Sequence, residues 1–191
     1  MKTRLSNVTK AYLEAFERIL DNMICNMNGA DLKNSISHNF IVQMLPHHRA
    51  AIQMCENLLQ YTTNIELQDI CCNIIEEQTR SIANMERVLP SCSRCRNCNA
   101  DLCSYQCRID GIKQNMFNCM GNAPATNRIN IDFLREMIPH HRGAVEMCET
   151  TLQYDICNGL VPILEAIITS QKRGICQMEQ LLRELENCCE G

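Results

Sequence analysis

Apolar residues recur every three to four positions along most of this 191-residue chain, and this spacing predicts amphipathic helices. The first helix is predicted over 7–27. One of its faces carries an apolar stripe formed by Val8, Tyr12, Phe16, Ile19, Leu20, Met23 and Met27. Two more helices are predicted at 37–61 and 64–90, with Pro90 ending the last of them. No segment alternates apolar and polar residues as a strand does, so the pattern predicts an all-α protein.

The pattern repeats after 93 residues. When 38–89 is aligned with 131–182, 23 of the 52 positions are identical, which indicates a tandem duplication. The second copy predicts helices at 101–120, 131–154 and 159–187.

We therefore expect one pseudo-twofold domain over 1–191. Repeat one spans 1–90 and repeat two spans 94–187, and a Cys-rich loop at 91–100 joins them. The two long helices of each repeat would together form an antiparallel four-helix bundle. The first helix of each repeat would be an extra helix that packs outside the bundle or bridges to a neighbouring chain.

Four of the five histidines lie in two copies of one phrase, MLPHHRAAIQMCE at 44–56 and MIPHHRGAVEMCE at 137–149. On a helix, which turns about 100° per residue, one face of each phrase carries both histidines, both methionines and the cysteine. These residues are Met44, His47, His48, Met54 and Cys55 in repeat one and Met137, His140, His141, Met147 and Cys148 in repeat two. Glu56 and Glu149 fall on the opposite face. The pseudo-twofold would bring the two sets close together.

This donor set predicts a metal site. Imidazole, thioether and thiolate together favour copper, above all Cu(I), whereas zinc fits less well because it has little use for methionine. A di-iron carboxylate site needs inward glutamates, and no Ser-His-Asp set can be proposed, so we expect a binding protein and not an enzyme. The alternative interpretation makes the histidines and methionines core residues, with Gln78 and Gln171 as hydrogen-bond partners of the rings.

The phrase MIPHHRGAVEM, followed about thirty residues later by Gln171, Ile175 and Met178, resembles the bacterial family of the domain of unknown function 305. The resemblance covers 38–89 and 131–182. It implies a ferritin-like fold, and some members of that family are linked to copper binding and copper tolerance. It therefore implies His47, His48, His140 and His141 as the metal histidines, with Met44, Met54, Met137 and Met147 as soft ligands.

The chain contains fifteen cysteines, far more than its histidine phrases use. Cys92, Cys95 and Cys98 form C-x-x-C-x-x-C, a spacing that lets neighbouring thiolates meet one ion. A second thiol site or a set of cross-links is therefore predicted among Cys92, Cys95, Cys98, Cys103, Cys107, Cys71, Cys72, Cys188 and Cys189. Two functions remain open for these thiols. They would recruit Cu(I), or they would cross-link a homo-oligomer by disulfides into a structural layer such as a spore coat or exosporium-like shell.

Charge and hydropathy narrow the choice of partners. The net charge is −4, and lysines and arginines are scattered, so nucleic-acid binding has little support. No stretch of eighteen apolar residues is present, so no membrane insertion is expected. Residues 1–20 lack the apolar run and small-residue cleavage site of a secretory signal, so no leader is expected. We expect a cytoplasmic protein, or a leaderless one deposited on a spore surface, whose partners are metal ions and copies of itself.

Overall fold

A computed structural model describes residues 4–187 of the chain. This part consists of six helices without a strand, which confirms the all-α prediction. The helices are α1 (Asn7–Asn28), α2 (Ile36–Leu58), α3 (Ile65–Cys92), α4 (Asn99–Gly121), α5 (Ile129–Thr151) and α6 (Val161–Asn187). None of them is long and apolar enough to cross a lipid bilayer. The predicted thiols Cys188 and Cys189 lie outside the described residues.

Four helices form the bundle. α2 packs along α3 and α5 packs along α6 within each repeat, while α2 meets α5 and α3 meets α6 between the repeats. α1 covers α2 and α4 covers α5 from outside. This arrangement confirms the predicted four-helix bundle with one extra helix per repeat. It also shows that the extra helices pack within their own chain.

The first four helices begin at side chains that bind otherwise unpaired backbone N–H groups. Ser6, Ser35 and Asn64 accept such hydrogen bonds at the starts of α1, α2 and α3. At the start of α4 the acceptor is the sulfur of Cys98, which lies 3.4 Å from the backbone nitrogen of Asp101. The starts of these four helices are therefore encoded by residues close to them in the sequence.

The prediction that α3 ends at Pro90 was wrong, because the helix continues to Cys92. A proline removes only its own N–H from the helix. The backbone N–H of Ser93 still donates to the carbonyl of Leu89 at 2.9 Å, which carries the last turn past the proline. The Cys-rich connection is consequently shorter than predicted and spans only 93–98.

α2 and α5 occupy the centre, because each is covered by its repeat's two other helices and by its counterpart. Both helices therefore bury polar as well as apolar side chains, and both contain an internal proline, Pro46 in α2 and Pro139 in α5. Each repeat also contains an equivalent pair of tyrosines, one of which is fully buried. The rings of Tyr12 and Tyr61 meet edge to face at 5.9 Å between centroids, and Tyr105 and Tyr154 do the same at 5.4 Å.

Candidate functional site

The four phrase histidines meet where α2 crosses α5. The rings of His47 and His140 stack with 3.6 Å between their centroids and 25° between their planes. His48 and His141 lie outside this stack, each 5.9 Å from the ring of its sequence neighbour. All four side chains are at most 2% exposed. The structure thus brings together the histidines of both repeats.

The stacked rings are held by reciprocal hydrogen bonds. Nε2 of His47 lies 3.2 Å from the carbonyl oxygen of His140, and Nε2 of His140 lies 3.2 Å from that of His47. A carbonyl oxygen can only accept, so both Nε2 atoms carry a hydrogen and donate it. In a neutral imidazole the other nitrogen, Nδ1, then holds a free lone pair. The backbone itself therefore selects a tautomer with Nδ1 available as a ligand.

Burial keeps these imidazoles neutral. Desolvation is the largest cause of the lowered pKa in all four rings, and neighbouring histidines lower it further for His47, His48 and His141. The pKa falls to about 3 for His48 and to about 4 for His140. Neutral rings at physiological pH are the form that binds metal ions.

Six buried side-chain nitrogen or oxygen atoms within residues 4–187 lack a hydrogen-bond partner. They are Nδ1 of His47, His48, His140 and His141 and Oε1 of Gln78 and Gln171. Buried polar atoms are normally paired, so a group of unpaired acceptors marks a place for a ligand. The alternative in which Gln78 and Gln171 hydrogen-bond the rings is not realised, because neither amide oxygen accepts a hydrogen bond.

The predicted sulfur donors are buried in the same two helices. Met44, Met54, Met137 and Met147 are at most 2% exposed, and Cys55 and Cys148 are fully buried. Burial raises the pKa of both thiols, and Cys71 beside Cys55 raises that of Cys55 further. These two cysteines are therefore thiols rather than thiolates.

One methionine from outside the phrases also reaches α5. A Cβ placed on Gly143 would lie 2.3 Å from the sulfur of Met116, so this thioether rests on bare backbone two residues after His141. Met116 lies outside both histidine phrases, so it was not among the predicted donors. The sequence signal for this close approach was Gly143, which stands where repeat one has Ala50.

The donors do not form a ready-made polydentate site. Within residues 4–187 no three His, Cys, Asp or Glu side chains are grouped so that they could hold one metal ion. An ion at the centre would therefore use at most two of the imidazole or thiol groups, together with thioether sulfur or amide oxygen. Low coordination by soft donors is what this arrangement can supply.

The two outer histidines have different surroundings. Nε2 of His48 lies 2.9 Å from the hydroxyl of Ser81. The equivalent position in repeat two is Gly174, where an added Cβ would lie 3.2 Å from Cδ2 and 3.4 Å from Nε2 of His141. His48 borders a groove of about 600 Å³ between α3 and α6, whereas His141 borders a separate cavity of about 130 Å³.

The structure divides the predicted thiols among several places. Cys71 is buried and Cys72 is exposed, as expected for adjacent residues on a helix, and Cys103 and Cys107 are exposed on α4. The C-x-x-C-x-x-C motif does not converge on one point: Cys98 is exposed and caps α4. The thiol that joins Cys92 and Cys95 is Cys157, from the α5–α6 connection, which no spacing pattern had singled out.

A buried carboxyl group was also missed. Glu56 and Glu149 are exposed as predicted, but Glu136 on α5 is only 2% exposed and accepts a 2.5 Å hydrogen bond from the hydroxyl of Tyr12. Burial raises the pKa of Glu136 to about 8, although the Tyr12 hydrogen bond lowers it. On a helical wheel Glu136 falls only about 20° from Met147, so its inward position could have been recognised.

Known structures share this fold. CopM in the Ag-bound form obtained by soaking is 27% identical, with a TM-score of 0.58, and the match covers 78% of this chain and 95% of that chain. CopM in the apo form is 28% identical with the same TM-score and covers 78% and 96% of the two chains. A DUF305 fragment from Deinococcus radiodurans has the same TM-score and coverage at 21% identity, which supports the fold alone.

No curated protein matches the chain at a significant level. The family model described as Domain of unknown function (DUF305) matches it in two overlapping segments, residues 17–89 and 37–182. The second segment includes both histidine phrases. The chain therefore belongs to the DUF305 family.

Proposed function

We propose that this protein binds copper as Cu(I) at the centre of the bundle and serves in copper sequestration or handling. One observation carries the proposal: the six unpartnered buried side-chain atoms of residues 4–187 all belong to the four phrase histidines and the two glutamines. A core that needed these groups only for packing would pair them with donors, because an unpaired buried polar atom is costly. A bound ion would satisfy the lone pairs.

The charge of the surroundings favours a monovalent ion. The histidine nitrogens are neutral, the neighbouring thioethers carry no charge, and Cys55 and Cys148 remain protonated because burial raises their pKa. Moving two positive charges into such a core would cost more than moving one. Zinc would additionally want about four nitrogen, sulfur or carboxylate ligands, and the described residues provide no group of three.

The comparison with CopM supports a soft ion. A CopM crystal soaked with silver is described in an Ag-bound form, and silver as Ag(I) shares its charge and its preference for soft ligands with Cu(I). The match covers almost all of that chain.

In this proposal the two kinds of histidine have different tasks. His47 and His140 are fixed by the reciprocal Nε2–carbonyl bonds, so their Nδ1 atoms are oriented before an ion arrives. His48 and His141 border the groove and the small cavity, and they would pass ions between the surface and the centre. The role is binding and not catalysis, because every donor offers a lone pair and none is placed as an acid–base pair.

The disulfide-linked structural layer stays a prediction from the sequence. Apart from the exposed thiols that suggested it, no feature of residues 4–187 favours it.

The test is a competition titration with Cu(I) under anaerobic conditions, using a chromogenic Cu(I) chelator. Exposed thiols are first alkylated in the native, reduced protein, so that they cannot bind the metal. We expect stoichiometric, tight Cu(I) binding by the wild type. The double variant His47→Gln with His140→Gln should lose it, because two of the four Nδ1 donors are gone.

His38 provides a matched control. It is also a buried histidine, but both ring nitrogens already have partners, the hydroxyl of Ser93 at 2.7 Å and the carbonyl oxygen of Asp31 at 2.9 Å. His38→Gln should leave Cu(I) binding unchanged, and circular dichroism would verify that each variant is folded. Full stoichiometry in the double variant would mean that the remaining cysteines, and not the histidine centre, hold the copper.

A further inference from the structure

A group of three cysteines lies at one end of the bundle, in segments of the chain that do not contain the four phrase histidines. Cys92 is fully buried in the last turn of α3, Cys95 is partly exposed in the α3–α4 connection, and Cys157 is partly exposed in the α5–α6 connection. The thiol of Cys157 interacts with the thiols of both Cys92 and Cys95, and these interactions alter the pKa of all three groups. Segments about sixty residues apart in sequence are thus joined through sulfur.

The frame around these thiols is held by hydrogen bonds from a third segment, the start of α2. The hydroxyl of Ser35 donates to the carbonyl of Cys92 at 2.7 Å, and the hydroxyl of Ser37 accepts from the backbone N–H of Cys157 at 2.9 Å. Asn97 completes the frame, since its side chain donates to the carbonyl of Asp155 at 2.7 Å and accepts from Ile36 N–H at 2.9 Å. The three connections are therefore positioned relative to one another.

Within this frame the three thiols are not equivalent. Burial raises the pKa of Cys157, but hydrogen bonds from Cys92, the backbone of Gly159, Cys95 and Ser91 outweigh it and lower the pKa below its ordinary value. Burial raises the pKa of Cys92 to about 12 and also raises that of Cys95, and Cys157 contributes to both shifts. Cys157 is consequently the thiol that ionises first and attacks first.

We propose that Cys157 and Cys95 form a thiol–disulfide exchange site that takes small disulfides as its substrate. Both residues are partly exposed, so a small disulfide can approach Cys157 and its leaving group can depart into solvent. Cys95 lies in the α3–α4 connection, outside the helices, and we assign the second step to its sulfur. Cys92 is enclosed and remains a thiol that donates to Cys157.

The exchange balances in two steps. The thiolate of Cys157 attacks one sulfur of the small disulfide, so that a Cys157–sulfur bond forms, the original S–S bond breaks and one thiolate leaves. The sulfur of Cys95 then attacks the Cys157 sulfur, loses its proton to solvent and expels the second small thiolate. Two protein thiols are oxidised, and one small disulfide is reduced to two thiols. The product links the α3–α4 connection covalently to the α5–α6 connection.

The experiment uses the full chain, fully reduced and freed of metal with a Cu(I) chelator, and oxidised glutathione as the probe. Its outcome is therefore independent of the copper proposal. The sequence makes mapping simple, because trypsin cuts after Arg94 and Arg96 and so places Cys92, Cys95 and Cys98 in three different peptides. A further chymotryptic cut after Tyr154 separates Cys157 from Cys148.

We expect Cys157 to react about tenfold faster than exposed Cys98, and the mapped product to join the Cys95–Arg96 dipeptide to the Cys157 peptide. Cys95→Ser should stop the reaction at glutathionylated Cys157, because no resolving thiol is left. Cys98→Ser, a change in the same connection, should leave rate and product unchanged. Equal rates at Cys157 and Cys98, or closure that persists in Cys95→Ser, would overturn the proposal.

Discussion

The two repeats agree at the centre of the bundle and differ around it. His47 and His140 exchange identical 3.2 Å hydrogen bonds, so each repeat supplies the backbone acceptor that orients the other's ring. Around this centre the equivalent positions have diverged to Ser81 and Gly174, Cys71 and Leu164, Gln43 and Glu136, and Leu20 and Lys113. The comparison teaches that the reciprocal contact of the two central rings has stayed paired, while several positions around it have diverged.

The divergence changes charge as well as shape. In repeat one, Gln43 accepts a 3.0 Å hydrogen bond from the ammonium group of buried Lys113. In repeat two, Glu136 at the equivalent position meets the hydroxyl of Tyr12 instead. The neutral amide of Gln43 therefore lies beside a cation in one half, whereas the carboxyl group of Glu136 has no cation beside it among the described residues of the other half. The centre can act as one symmetric site, but its two flanks cannot behave identically.

The largest effect on the free energy of unfolding is expected when the pH is lowered, and the histidines of both repeats should contribute to it. A histidine whose pKa is lowered in the folded protein binds a proton more readily when unfolded. The free energy of unfolding should therefore fall as the pH drops from about 6.5, the unfolded pKa, towards the folded values of about 4 for His140 and about 3 for His48. Each neutral histidine contributes about 1.4 kcal/mol per pH unit in this window.

Urea unfolding of the metal-free, reduced protein between about pH 7 and pH 4.5 measures this slope. His48→Gln in repeat one and His141→Gln in repeat two should each remove one histidine's share, and to the same extent. A slope that neither substitution reduces would show that the outer rings are protonated in the folded protein.

A smaller effect should come from the carboxyl group of Glu136, which only repeat two contains. Its pH dependence is opposite, because this group lowers the free energy of unfolding as the pH rises. Glu136 keeps its proton up to about pH 8 when folded but loses it near 4.5 when unfolded, so its contribution to stability is lost as the pH rises through this window. Glu136→Gln should raise the free energy of unfolding by on the order of 2–4 kcal/mol near pH 8 and by little near pH 4.5. Urea unfolding at the two pH values checks this.

The matched change in repeat one is Gln43→Glu. The new carboxylate would face the ammonium group of Lys113, so it should stay ionised and add no pH dependence between about pH 4.5 and 8. If Gln43→Glu added as much pH dependence as Glu136→Gln removes, Lys113 would not distinguish the two halves.

The fold could be predicted from the sequence because its signals are local and repeated. Helical periodicity, helix starts such as Ser35 and the shift of 93 residues define six helices and their pseudo-twofold. Helix ends were less accurate, as at Pro90, since continuation depends on one backbone hydrogen bond that the residue type does not report. Burial of the phrase histidines followed from the shared inward face.

The rest of the site depends on how segments align in space. The reciprocal bonds of His47 and His140 require a particular offset between α2 and α5, which no spacing within one helix encodes. Cys157 lies in a connection without periodicity, so its meeting with Cys92 and Cys95 is set by tertiary contacts such as that of Asn97 with Asp155. Linear motifs identified donors, but the structure determined which of them meet.

The smallest effect should come from moving one hydroxyl between the repeats. Ser81→Ala removes the partner of His48 Nε2 and should cost about 1 kcal/mol. Adding Gly174→Ser offers a hydroxyl to His141, but the new Cβ would lie only 3.2 Å from the ring, so we expect only part of the loss to be recovered. Nitrogen-15 NMR of the imidazoles should show the Nε2 perturbation move from His48 to His141.

Ser170→Ala is the control, because Ser170 borders the same groove but bonds the carbonyl of Ile167. If Ser81→Ala left the His48 signal unchanged, the Ser81 hydroxyl would not explain the difference between the repeats. The two outer histidines would then differ through the steric access that Gly174 allows.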